Sequence, residues 1–138
     1  MLISYFYEEL QSRHNNIALI VLEYINMKVA ILTTGGTFDK VYFDANSEYS
    51  IGEPCISSIL DEGNVTSDYR VQSILKKDSL DITQEEREII KNAVKNCEED
   101  KIIITHGTDT MIETAKCLEN IENKTIVLTG SMQPARFR

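Results

Sequence analysis

Threonine hydroxyls beside glycines, together with one carboxylate, are the residues of this chain best suited to chemistry. The stretch "ILTTGGTFDK" at 31–40 places Thr37 directly after two glycines, and "THGTD" at 105–109 contains Thr108 and Asp109. A hydroxyl becomes a nucleophile when a base removes its proton, and glycines allow a substrate to approach the backbone closely. The pattern indicates acyl transfer, with Thr37 as a candidate nucleophile and Asp109 supplying polarity or orienting a base.

A phosphate-binding turn is the competing interpretation of the two glycines. Thr-Gly-Gly-Thr lacks the three-glycine spacing of a dinucleotide-binding turn, and no Gly-Lys-Ser/Thr follows as in a P-loop. Nucleotide binding is therefore disfavoured. His106 is the sole histidine between positions 27 and 138, and in a strand-to-helix turn it is more typical of a hydrogen-bonded structural residue than of a general base.

The elements that must position these residues alternate between two periodicities. Short apolar runs predict strands, and amphipathic stretches predict helices. The predicted strands are 28–34, 69–75, 101–109 (entering a glycine turn) and 124–130, and the predicted helices are 53–60, 81–97 and 110–120. Thr83 and Glu86 have capping-box spacing at the start of the second helix. Alternating strands and helices predict an α/β fold: a mostly parallel sheet with helices on both faces.

Small polar residues collect where the four predicted strands end. The segments are "TTGGT" at 33–37, "KKDSLD" at 76–81, "THGTD" at 105–109 and "TGSMQP" at 129–134. Each alone is consistent with ordinary turn and helix-cap residues. In parallel sheets, ligands bind outside the carboxyl ends of the strands, so four such segments together predict a pocket there. Its hydroxyls, carboxylates and backbone amides suit a small zwitterion.

Three of these segments carry a family resemblance. "TTGGTF", "THGTDTMIETA" and "VLTGSMQPA" resemble, in order and spacing, the signature segments of the L-asparaginase family, and the match runs from about Met27 to Ala135. The resemblance implies the fold of the asparaginase N-terminal domain. It also implies an amidohydrolase that converts L-asparagine, or a related side-chain amide, to the acid and ammonia, with no metal and no organic cofactor.

The resemblance further implies roles for individual residues. Thr37 matches the family's nucleophilic threonine, and Thr108 and Asp109 match the second catalytic threonine and the aspartate that also holds the substrate amino group. Asp78 and Ser79 are similar, more loosely, to the segment that binds the substrate α-carboxylate. Either Tyr42 or Tyr49 matches the tyrosine of the family's mobile loop, or else is a packed surface aromatic; the sequence leaves this open.

The chain also departs from the family pattern. The family's catalytic lysine lies downstream of the Gly-Ser-Met segment, where this sequence has none, and Lys124 precedes that segment. Lys76 or Lys77 is a candidate replacement, although exposed lysine is the ordinary finding. Phe38, Asp39 and Lys40 follow the nucleophile, where small residues are usual. The alternative function is a catalytically inactive amino-acid-binding module or truncated remnant.

Composition limits the partners. The net charge of −8, from 14 basic and 22 acidic residues, with no basic cluster, argues against nucleic acid. Cys55, Cys97 and Cys117 form no Cys-x-x-Cys pattern and predict reduced thiols in the cytoplasm. The apolar run at 17–22 is too short to span a membrane, so no membrane partner is expected.

The chain divides into two segments with different expected roles in the fold. Residues 1–26 are expected to be an N-terminal extension, with Met1 and Met27 both open as the start. Residues 27–138 are expected to form one asparaginase-like α/β domain that is incomplete at its C-terminus. A sheet ending with its fourth strand would leave unpaired edge groups, so a homo-oligomer is expected.

Overall fold

A computed structural model describes residues 27–43 and 48–137, and the extension expected at 1–26 lies outside them. The strands are β1 Lys28–Gly35, β2 Lys40–Phe43, β3 Glu48–Ile51, β4 Asp68–Lys77, β5 Lys101–Thr105 and β6 Thr125–Thr129. The α-helices are α1 Ile56–Glu62, α2 Gln84–Asn96 and α3 Met111–Cys117, and the short 3-10 turns are Thr37–Asp39, Ser79–Asp81 and Ala135–Phe137. Within the described ranges, no helix is long and apolar enough to cross a bilayer.

Four strands form one parallel sheet in the order β4-β1-β5-β6. Ile31 of β1 pairs with Val71 on one side and with Ile103 on the other, so β1 lies in the interior of the sheet. Helix α2 connects β4 to β5, and α3 connects β5 to β6. Parallel neighbours require such crossover connections. The predicted α/β fold with a mostly parallel sheet is confirmed.

One face of this sheet packs against α2 and the end of α3. Successive strand side chains alternate between faces, so every second residue of β1 and β5 contributes to the same surface. The core cluster contains Ala30, Leu32, Ile102 and Ile104 from the strands with Ile90, Val94, Cys97 and Leu118 from the helices and their ends. Helix α2 begins with the predicted capping box, in which Thr83 and Glu86 each bond the other's backbone N–H.

The opposite face carries a transverse row of apolar residues. Val71, Ile31, Ile103 and Val127 occupy one register position on β4, β1, β5 and β6. Ile31, in the middle, is 2% exposed, whereas Val127 on the edge strand β6 is 51% exposed. This face is therefore closed at its centre and open towards β6.

The hairpin of β2 and β3 was not predicted from the sequence. These strands form a separate antiparallel pair in which Tyr42 lies opposite Tyr49. The two rings are tilted at 53° with centroids 5.1 Å apart, a geometry typical of favourable aromatic contact. Cross-strand packing of this kind stabilises a segment that the family resemblance treated only as a loop.

Candidate active site

The four strand-end segments lie at one edge of the sheet, because all four strands are parallel. Hydrogen bonds join neighbouring segments. The Gly36 N–H donates to the Lys77 carbonyl at 2.8 Å, and the Thr34 hydroxyl donates to the Thr105 carbonyl at 2.9 Å. The His106 N–H donates to the Thr129 carbonyl at 2.8 Å. These bonds connect the carboxyl end of β1 to β4 and β5, and that of β5 to β6.

Glycine allows the turns after β1, β4 and β5 to touch through their backbones. Gly36 has φ +73°, in the left-handed region, and a Cβ there would lie 2.5 Å from the Gly107 nitrogen. A Cβ on Gly107 would in turn collide with the Ser79 hydroxyl. Any larger residue at these positions must separate the turns. The segment preceding Thr37 is thereby held directly against the segment preceding Thr108.

The candidate site residues differ in exposure. Thr37 begins the 3-10 turn after β1 and is partly buried, whereas Thr108 and Asp109 are exposed between β5 and α3. Ser79 is 1% exposed, and within the described part of the chain its hydroxyl has no hydrogen-bond partner. Asp78 is partly buried beside it. The structure thus gathers all five predicted residues at the carboxyl edge of the sheet.

His106 is buried in the turn that follows β5, and hydrogen bonds hold its side chain in place. Its Nδ1 lies 2.7 Å from the Gly107 carbonyl, and its Nε2 lies 2.8 Å from the Thr114 hydroxyl. A carbonyl only accepts, so Nδ1 carries the proton and Nε2 accepts from Thr114. Burial lowers the pKa of His106, which favours this neutral form. Both ring nitrogens are engaged, in agreement with the structural interpretation of this histidine.

Asp78 is held by a cation and a backbone amide. Lys40 forms an ion pair with its carboxylate at 2.7 Å, and the Leu80 N–H donates to it at 3.2 Å. The hydrogen bond from Lys40 lowers the pKa of Asp78, so the group stays ionised at neutral pH. An ionised Asp78 would repel a substrate carboxylate. Its contacts suit a residue that orients Lys40 and the turn containing Ser79.

The two lysines considered as replacement bases, and also Lys124, are engaged elsewhere. Lys76 pairs with Glu53 at 2.5 Å, and Lys77 pairs with Glu86 at 2.7 Å. The Lys124 ammonium donates to the Cys97 and Glu99 carbonyls, before the start of β5 and so at the opposite edge of the sheet. These contacts favour structural roles for the three side chains.

Two cavities open at the carboxyl edge. The first, of about 430 Å³, is lined by Phe38, Ile59 and residues 130–135. The second, of about 480 Å³, is lined by Lys40, Tyr49, Ile51, Lys76, Lys77, Asp78 and Asp81. Phe38 adjoins Thr37, and Tyr49 shares the second cavity with Asp78. Within the described ranges, no group of three His, Cys, Asp or Glu side chains is arranged to hold a metal ion.

A family profile described as "Asparaginase, N-terminal" matches residues 28–138. The chain belongs to the asparaginase family. Two curated relatives are the "Probable L-asparaginase periplasmic" of Haemophilus influenzae, 34% identical over 115 residues, and the "Glutaminase-asparaginase" of Acinetobacter glutaminasificans, 31% identical over 122 residues. Both alignments cover 78% of this chain, and they cover 33% and 36% of the relatives.

Solved asparaginase structures share the fold. The thermostable L-asparaginase from Thermococcus kodakarensis superposes with a TM-score of 0.65 at 32% identity, covering 78% of this chain and 35% of that one. A probable cytoplasmic L-asparaginase from Campylobacter jejuni gives 0.64 at 28% identity, covering 79% and 34%. This asparaginase-family chain therefore spans about a third of the length of its relatives.

One contact beside the site was missed from the sequence. Asp39 ends the turn that Thr37 begins and is 4% exposed, although charged residues are ordinarily exposed. Its carboxylate accepts from the N–H of Cys55 at 3.0 Å, and the Cys55 thiol lies 3.3 Å from the same oxygen. The sixteen-residue separation of the partners leaves no local sequence pattern. The sequence feature that could have pointed to this contact is the presence of Phe38, Asp39 and Lys40 after Thr37, where the family usually has small residues.

Proposed function

We propose that this chain is the catalytic-threonine domain of an amidohydrolase acting on L-asparagine or a related side-chain amide. The observation that carries the proposal is the close approach of the Gly36 and Gly107 backbones, which brings the turns of Thr37 and Thr108 next to each other. Membership of the asparaginase family and the names of its relatives support the substrate class.

The proposed reaction uses Thr37 as the nucleophile. Its hydroxyl oxygen attacks the carboxamide carbon, the C–N bond breaks, and nitrogen leaves as ammonia with the proton that the hydroxyl released. Water then hydrolyses the acyl-threonine ester to the free acid and restores Thr37. Thr108 and Asp109 assist this proton transfer at the exposed side of the turn. The Gly36 amide already bonds Lys77, so other amides of these turns must stabilise the oxyanion.

Substrate binding is assigned to groups around the same turns. Thr108 and Asp109 bind the ammonium group, because a carboxylate attracts it. Ser79 donates its otherwise unpartnered hydroxyl to the α-carboxylate. Asp78 contributes by holding Lys40 and capping the Ser79 turn through Leu80. Tyr49 borders the adjoining cavity and is the better placed candidate for the loop tyrosine.

Ammonia release from L-asparagine and L-glutamine by the 138-residue chain tests the proposal. Thr37→Ala is expected to lower kcat by at least about 10³-fold, because the nucleophile is removed. Thr125→Ala is the matched control: Thr125 is exposed and begins β6 at the opposite edge of the sheet, so activity should be unchanged.

Equal turnover by the wild type and Thr37→Ala would overturn the role of Thr37. Absence of ammonia release, together with calorimetric binding of asparagine, would replace the amidohydrolase with an amino-acid-binding module. Asparagine and glutamine are both needed, since the name of one relative includes both substrates.

We further propose a cytoplasmic homo-oligomer. None of the three cysteines is in a disulfide, which is typical of a reducing compartment, whereas the names of relatives include both cytoplasmic and periplasmic enzymes. The open apolar row near β6 supports association of copies.

A further inference from the structure

We infer that Asp39 is a positioning residue for the nucleophile: its buried carboxylate, bound by Cys55, fixes the turn on which Thr37 lies. Together, Asp39 and Cys55 form the Asp39–Cys55 clasp. The inference rests on the proposed function, because it assigns Thr37 the attack. Neither residue lies in the three segments that carry the family resemblance.

Asp39 is tied to its surroundings through three separate groups. Its N–H donates to the Gly36 carbonyl at 3.2 Å, which closes the turn around Thr37. Its own carbonyl accepts from the Gly52 N–H at 2.8 Å, which anchors the turn to the segment after β3. Its carboxylate accepts from Cys55 immediately before α1. A residue two positions from Thr37 is therefore fixed from three directions.

Cys55 binds the turn at two consecutive residues. Its thiol lies 3.3 Å from the Phe38 carbonyl and 3.3 Å from an Asp39 carboxylate oxygen, while its N–H donates to that same oxygen. A turn held at positions 38 and 39 leaves Thr37 little freedom to rotate away from Gly107. Catalysis requires such restraint, because a misplacement of about 1 Å can lower the rate roughly 10²-fold.

The burial of Asp39 has an energetic cost that a purely structural turn would avoid. Burial raises its pKa, while the Cys55 hydrogen bonds and the charges of Arg136 and Lys76 act in the opposite direction. Lys76 is paired with Glu53, so its charge is largely compensated. Retaining a carboxylate at a desolvated position fits a role in geometry rather than in stability.

The test combines turnover, affinity and amide hydrogen exchange in the wild type and four variants. Asp39→Ala removes the acceptor and is expected to lower kcat about 10²-fold while changing the asparagine dissociation constant less than about 3-fold. Exchange at the amides of Asp39, Gly52 and Cys55 should accelerate. Asp39→Asn keeps a carbonyl oxygen for the Cys55 N–H, so it should restore kcat to within about 10-fold of the wild type. Asp61→Ala, at an exposed position of α1, is the matched control and should match the wild type.

Asp39→Glu covers the case in which the alanine variant does not fold. It retains the charge but displaces it by one methylene, so kcat should fall while affinity for asparagine is retained. The inference is overturned if Asp39→Ala or Asp39→Glu behaves like Asp61→Ala in turnover, or if affinity and kcat fall together. A wild type without turnover refutes the proposed function instead. The clasp is then tested by amide hydrogen exchange alone. Unchanged amide protection in Asp39→Ala refutes the clasp. Loss of protection in Asp39→Ala, with normal protection in Asp39→Asn, supports it.

Discussion

Two carboxylates at the carboxyl edge of the sheet have opposite electrostatic environments. Burial raises the pKa of Asp39 above its ordinary value of 3.8, although Cys55 donates to it. The hydrogen bond from Lys40 lowers the pKa of Asp78 below the same value. One group therefore favours its neutral form on folding and the other its charged form, although both belong to turns that surround the site.

Replacement by asparagine should affect stability with opposite pH dependences at these two positions. The raised pKa of Asp39 stabilises the fold below about pH 4, and this contribution is lost as pH rises through the folded-state pKa. Asp39→Asn should therefore gain stability relative to the wild type as pH rises above about 4 and through the folded-state pKa of Asp39. The lowered pKa of Asp78 stabilises the fold above about pH 4, and this contribution is lost as pH falls through the folded-state pKa. Asp78→Asn should therefore be less stable than the wild type above about pH 4, and the difference should shrink as pH falls below that value.

Urea unfolding followed by circular dichroism at several pH values, with protein concentration held constant, measures both differences. Asp61→Asn, at an exposed site, provides the control and should follow the wild type throughout. Parallel curves for Asp39→Asn and the wild type would contradict the buried environment of Asp39. A gain of stability by Asp78→Asn as pH rises would contradict the Lys40 pair.

The sequence located most of the candidate site but not the contacts that hold it. Thr37 follows the predicted strand 28–34, whereas Thr108 and Asp109 end the predicted strand 101–109, which in the structure stops at Thr105. Parallel strands place their carboxyl ends at one edge of the sheet. Burial of Asp39 and Ser79 escaped prediction, because a polar residue in a turn ordinarily faces solvent. Gly107 approaches the Ser79 side chain closely, and Cys55, just before α1, contacts the Asp39 carboxylate. Neither approach is visible in local sequence.

At the scale of elements, α2 is what fixes one face of the sheet. Its capping box sets the first turn, and Ile90 and Val94, one turn apart, enter the core with no exposed surface. The adjacent Ile89 is 51% exposed on the solvent side of the same helix. Ile89 and Ile90 have the same intrinsic helix propensity, so the two positions differ only in how their side chains pack against the rest of the protein.

Truncation of these two isoleucines should have very different consequences. Ile90→Ala is expected to lower the free energy of unfolding by about 3 kcal/mol, because it removes buried apolar surface and leaves a cavity against β1 and β5. Ile89→Ala should change it by less than about 1 kcal/mol. Chemical denaturation of both variants is the measurement. Similar losses would mean that α2 does not present Ile90 to the sheet.

Elements with a strong local signal were predictable, and those fixed by distant contacts were not. The capping box and apolar periodicity placed α2 within three residues of its observed start, Gln84. The β2–β3 hairpin was missed because its strands are only four residues each and pair outside the main sheet. Helix α1 begins at Ile56, two residues beyond Pro54, where the Cys55 amide is bound by Asp39.

At the scale of the whole molecule, β6 is the feature that most favours association of copies. It ends the strand order, so within the described residues its outer side has no strand partner. Its residues alternate between exposed and partly buried, and Val127 continues the apolar row from Ile31 into solvent. An apolar edge strand with unpaired backbone groups is a template for pairing with another chain.

The wild type is therefore expected to be a dimer or larger oligomer at micromolar concentration. Val127→Lys should shift it towards monomer, because a charge on an edge strand opposes burial of that edge. Val65→Lys is the matched control: Val65 is also an exposed valine, 42% accessible, but lies in the loop between α1 and β4. Light scattering coupled to size-exclusion chromatography gives the mass of each protein.

A monomeric wild type without aggregation would refute association, whereas equal oligomerisation of both variants would place the interface away from β6. Because catalysis is assigned to turns at the carboxyl ends of the strands, dissociation through Val127→Lys should leave the Gly36–Gly107 contact intact, and activity that survives in the monomer would locate the chemistry within one chain.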